Sequence, residues 1–115
     1  MKRWIWKFAC ALRGVAVGMR GQNSFYVHVP AAIVACIMAA WLDLPLAEWL
    51  VVVLCITVVL SAELINSAIE HLARAVTREE HPEIRDALDI ASGAVLVASI
   101  GASAVGVVLL VSHCS

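Results

Sequence analysis

A chain of 115 residues with 63% hydrophobic and only 15% charged content forms one domain with more apolar surface than water tolerates. A soluble fold of this size has no interior large enough to hide that surface, so a membrane-embedded protein is predicted. The net charge of −1 decides little beside the placement of the charges, and nothing in it calls for a nucleic-acid partner.

Residues 1–20 read as an amphipathic helix. Trp4, Ile5, Phe8, Leu12, Val15 and Met19 share one arc at a 3.6-residue period, with Lys2, Arg3, Lys7, Arg13 and Arg20 roughly opposite. Trp6 is a misfit, and Gly14 and Gly18 weaken the helix. A cationic face beside a Trp-rich apolar one suits a helix lying among the headgroups of an anionic leaflet; packing sideways on a helical bundle is the other reading, and the two are compatible. Lys7, Arg13 and Arg20 break up the apolar residues, so the segment does not read as a cleaved signal.

After a break at Gly21 to Ser24, residues 27–44 form a first predicted span. Only His28 and Asp43 are readily charged there, Pro30 sits in its first turn, and Trp41 lies near the far end. At about 1.5 Å per residue, this stretch nearly matches a hydrocarbon core of roughly 30 Å. Asp43 to Leu46 is a tight turn, so the next helix returns antiparallel. That second span, residues 46–75, is longer than a bilayer needs. It is almost purely aliphatic beyond Trp49 and turns polar from Ser61, as if leaving the hydrocarbon near Glu63 to Glu70. A charged connector with Pro82 covers residues 77–86. The third span, residues 87–111, carries Ala94, Ala98, Ala102 and Gly106 at four-residue spacing, a row that lets helices approach closely in lipid. Asp89, one turn before Gly93, is expected to point into the bundle.

All eight Lys and Arg residues lie in the N-terminal segment or between Arg74 and Arg85. The positive-inside rule then places the N-terminus and the connector in the cytoplasm, with three spans and an external C-terminus. Cys10, Cys36, Cys55 and Cys114 show no CxxC pairing and no matched histidine spacing, and the histidines are dispersed. They read as small buried or membrane-embedded thiols, and no zinc site is expected.

The chemistry concentrates in AELINSAIE, Ala62 to Glu70. At about 100° per residue, Glu63, Asn66 and Glu70 lie within roughly 60° of one another. Hydrocarbon does not tolerate such a face, so it must meet protein, water or a ligand. Two carboxylates and an amide suit a hard cation such as Mg²⁺ or the acceptance of a proton. Simple interhelical hydrogen bonding would explain one polar group better than four. A transporter needs a path to both sides, yet the outer halves of the spans are uncharged beyond the Asp43 to Glu48 turn. An enzyme joining a lipid to a cytoplasmic substrate accounts for acids at one end only.

The stretch AELINSAIE, followed by RDALDIASGAVLVA from Arg85 to Ala98, resembles the prokaryotic diacylglycerol kinase and undecaprenol kinase family of small membrane kinases. Ala11, Gly14, Val27-His28 and the order of the spans extend the resemblance over essentially the whole chain. It implies an all-α integral membrane fold, a surface helix plus three transmembrane helices, assembled as a homotrimer in the bacterial inner membrane with active sites shared between subunits. It also implies transfer of the γ-phosphate of ATP, with Mg²⁺, to the hydroxyl of a membrane lipid alcohol. On the matching positions, Glu63 would be the catalytic base, Asn66 an active-site amide, Glu70 a metal-binding carboxylate and Asp89 an acid of the nucleotide site. Two positions depart from the family pattern. Leu88 stands where a lysine is usual, and Gln22 where a metal-binding glutamate is usual; Gln22 offers a carbonyl oxygen but no charge. Arg13, Arg20, Arg85 or Lys7 is then expected to supply the missing phosphate contact. A family member with altered or lost catalysis is the alternative.

Overall fold

The computed structural model describes residues 2–20, 23–76 and 78–114. Their hydrophobic pattern resolves into four helices: α1 (Lys2–Met19), α2 (Asn23–Trp41), α3 (Leu46–Val76) and α4 (Pro82–Cys114). At 31 and 33 residues, α3 and α4 are each about 45–50 Å long, more than a bilayer core requires. Both are apolar enough to cross a membrane, whereas the described apolar part of α2, Val27–Trp41, is shorter.

The α2–α3 turn is built by a backbone motif. Asp43 adopts a positive φ of 53°, which Asp tolerates better than most residues. Leu44 N–H then donates to Ala39 O at 3.2 Å and Asp43 N–H to Ala40 O at 3.2 Å. This pattern satisfies carbonyls at the end of α2, and Ala39 and Leu44 are both buried, supplying the apolar contact that accompanies it. Pro45 ends the turn, and its carbonyl accepts the first α3 bonds, from Glu48 and Trp49.

At the other end the helix begins earlier than the charged connector suggests. Pro82 is the first residue of α4, a position where its missing N–H costs nothing. His81 caps it: its Nδ1 accepts from Glu83 N–H at 3.2 Å and its carbonyl from Arg85 N–H at 2.9 Å.

Helix α3 is the hub, packing against each of the other three. Buried and half-buried residues of α4 recur as Ile84, Leu88, Ala91, Val95, Ala98, Ala102, Val105 and Leu109. Those of α3 recur as Val52, Ile56, Val59, Glu63, Asn66, Glu70 and Ala73. Both rows alternate steps of four and three, the seven-residue repeat of left-handed helix pairing. A strict four-residue row drifts off such a seam. The expected small-residue face is therefore corrected: Ala94 and Gly106 are exposed, and a Cβ at Gly106 would meet nothing within 4 Å.

The result is a slab of 53 × 41 × 20 Å, about two helices thick. Only Ala39, Leu44, Val59 and Ala91 form a buried apolar core among the described residues. In the most apolar windows of α3 and α4, just 17% and 6% of residues are buried. A soluble core helix would be covered; these face outward. Helix α1 has no buried residue, and Trp4, Ile5, Trp6 and Phe8 are each about two-thirds exposed. Helix α1 meets the bundle at its C-terminal end, where Val17 and Gly18 are half-buried, and leaves its Trp-rich stretch uncovered.

Candidate functional site

Along its buried row, α3 changes from Val52, Ile56 and Val59 to Glu63, Asn66 and Glu70 without changing face. The acidic stripe thus continues the packing seam, which forces its first member inward. Glu63 is only 2% exposed. Its Oε1 is in direct contact with Nδ1 of His28 on α2, and neither atom has any other partner among the described residues. The opposite ring nitrogen, Nε2 of His28, lies 3.3 Å from Ser99 Oγ on α4. Three helices therefore meet through one serine, one histidine and one glutamate. An isolated carboxylate at this burial would cost several kcal/mol; the imidazole offsets that cost at one oxygen.

The arrangement is incomplete in a specific way. Glu63 Oε2 and Asn66 Oδ1 are buried and have no hydrogen-bond partner among the described residues. Asn66 Nδ2 donates to Glu70 Oε1 at 3.0 Å, which fixes the amide with its oxygen free. Two acceptors three residues apart on one helix face can be satisfied by a hydroxyl proton or by a cation. The Glu70 carboxylate beside them suits Mg²⁺, which prefers one or two carboxylates together with substrate phosphates over a full protein cage. Among the described residues, no three His, Cys, Asp or Glu side chains converge as such a cage.

One turn further, Ser67 is the most buried of the described residues, at 1% exposure. Its Oγ donates to Gly18 O of α1 at 3.0 Å. A Cβ at Gly18 would stand 2.8 Å from Leu64 Cδ2, so a larger residue here would have to displace the end of the Leu64 side chain. Far from merely weakening its helix, Gly18 docks the surface helix beside Glu63. Toward the other side, His28 and Ser99 border a cavity of about 250 Å³ lined mostly by apolar residues such as Ala32, Ala35, Ile56 and Val59.

The remaining candidates stand apart. Asp89 is exposed, as are Lys7, Arg13 and Arg85. The expectation that Asp89 points into the bundle is corrected: the α4 seam runs through Leu88 and Ala91, which turns Asp89 off it. Leu88 is half-buried on that seam and so has a packing role where a phosphate-binding cation was missed. Lys7 Nζ instead lies over the Trp4 ring, 5.3 Å from its centroid. Gln22 lies outside the described residues. The cysteines are unpaired among the described residues.

The family model for prokaryotic diacylglycerol kinase matches residues 9–110. The chain belongs to this family. An undecaprenol kinase from Bacillus subtilis (strain 168) is 32% identical over 109 residues, spanning 95% of this chain and 89% of that one. A diacylglycerol kinase from Escherichia coli (strain K12) is 30% identical over 101 residues, spanning 88% and 83% respectively. With its outward-facing apolar helices, this member of the diacylglycerol kinase family is a membrane protein. Its inward histidine was passed over in the sequence, where the histidines look scattered. The available signal was depth: His28 is an ionisable residue inside an apolar span, and such residues are rarely idle.

Proposed function

We propose that the chain is an ATP-dependent lipid kinase that transfers the γ-phosphate of MgATP to the hydroxyl of a membrane lipid alcohol, with diacylglycerol and undecaprenol as the candidates. The observation carrying this reading is the half-satisfied Glu63, a buried carboxylate with one oxygen held by His28 and the other awaiting a donor. In this role Glu63 takes the proton of the substrate hydroxyl, and Asn66 orients that hydroxyl through its amide oxygen. Glu70 and Gln22 would hold Mg²⁺, which when bound neutralises phosphate charge. Asp89 belongs to the nucleotide site, with Arg13, Arg85 or Lys7 contacting the phosphates.

Asp89 is exposed within one copy, as is most of the apolar surface. Both features support a homotrimer in which a neighbouring subunit completes each site. Residues 27–44, 46–75 and 87–111 are the proposed spans in the bacterial inner membrane, with the N-terminus cytoplasmic and the C-terminus external, as the charge distribution favours. The test is to incubate purified protein in bilayers containing diacylglycerol or undecaprenol with γ-labelled MgATP. Labelled lipid is expected; ATP turnover without it, or no turnover, overturns the reading. The half-buried Leu88 favours a second reading, a member with altered catalysis, and label absent from both lipids despite MgATP binding would select it.

A further inference from the structure

We propose that His28 is a positioning residue for Glu63: held by Ser99, it turns its Nδ1–H onto Oε1 and leaves Oε2 as the atom that receives the substrate proton. This rests on the lipid-kinase reading above.

The proton assignment follows from the partners. Nδ1 faces a carboxylate oxygen, which only accepts, so Nδ1 carries the hydrogen. In the neutral ring, Nε2 is then an acceptor, and the Ser99 hydroxyl can donate to it over 3.3 Å. Ser99 thereby selects the ring orientation, and the ring selects which carboxylate oxygen is used up. Of the two buried carboxylate oxygens it is Oε1 that touches the imidazole, which leaves Oε2 to a group from outside the pair. In the step itself, the substrate O–H bond breaks and its proton passes to Oε2. The hydroxyl oxygen bonds to the γ-phosphorus while the bond from that phosphorus to the bridging oxygen breaks, leaving its electron pair on ADP. His28 keeps its own proton throughout. By donating to Oε1 it fixes the direction of the carboxylate.

The test uses the full chain in lipid vesicles with MgATP and a lipid alcohol. His28→Leu removes the donor, whereas His28→Asn keeps an N–H near the place of Nδ1. The leucine variant is expected to lose about 100-fold in kcat with KM for MgATP little changed, and the asparagine variant to recover about tenfold of that loss. Equal kcat in the two variants, or a loss confined to KM, overturns the proposal. A second measurement needs no turnover. In ¹⁵N-histidine NMR of the wild-type protein, His28 should show a protonated Nδ1, and its signals should shift in both Glu63→Gln and Ser99→Ala. Signals unmoved by either change overturn the proposal. An inactive wild type with the expected NMR pattern would instead overturn the kinase reading while the pairing stands. An active wild type whose His28→Leu variant turns over normally would overturn the positioning role alone.

Discussion

The described residues include two histidine–glutamate pairs between helices, one at the start of α3 and one near its middle. His28 and Glu63 join α2 to α3, and His113 Nε2 meets Glu48 Oε2 at 2.7 Å to join α4 to α3. The histidines are nearly equally covered, with 26% and 28% of their side chains exposed, yet Glu63 retains 2% and Glu48 27%. Glu48 and Glu63 are 15 residues apart, about 22 Å along the helix. The same two side chains thus occupy opposite settings. An exposed carboxylate with water at its free oxygen gains little from its partner. A buried one whose second oxygen has no protein partner among the described residues must be completed by something else, and there chemistry becomes possible. Residue type does not distinguish the two pairs; burial does.

The sharpest way to break this comparison is Glu63→Gln. It should reduce lipid phosphorylation by about 10³-fold while leaving the helical content intact by circular dichroism. Near-normal turnover would remove Glu63 from the mechanism. Next in size, Glu70→Gln should raise the Mg²⁺ concentration needed for half-maximal activity by about tenfold, and an unchanged titration would assign the metal elsewhere. Gly18→Val tests whether α1 must dock beside Ser67. The new side chain meets Leu64, so unfolding should become easier by about 1–3 kcal/mol in denaturant titration, with activity falling alongside. Leu88→Lys restores the cation usual in the family and should lower KM for MgATP a few-fold; no change would locate the phosphate contact at another residue. The smallest effect is expected at the exposed pair. Glu48→Gln should cost about 0.5 kcal/mol or less and leave turnover unchanged, and a large loss of activity there would erase the contrast between the two pairs.

Much of the fold was legible because helices are local. The 3.6-residue period of α1, the aliphatic run of α3 and the polar turn at Asp43 each express themselves within a few neighbouring residues. The face shared by Glu63, Asn66 and Glu70 was legible for the same reason: one helix fixes it. The row of small residues on α4 misled because spacing along one helix does not say which row a neighbour occupies. Two long helices pack on a seven-residue repeat, and that choice also turned Asp89 outward and Leu88 inward.

Composition, charge placement and periodicity alone determined that this chain lives in a membrane and carries a carboxylate face near the end of a long helix. Each follows from transfer energies and from backbone geometry within a single segment. Tertiary structure alone decided that His28 meets Glu63, that Ser99 meets His28 from 71 residues away, and that Ser67 holds Gly18 across 49. Such pairings depend on how helices rotate against one another. The energy that sets the rotation is spread over the whole seam, and no single segment contains it.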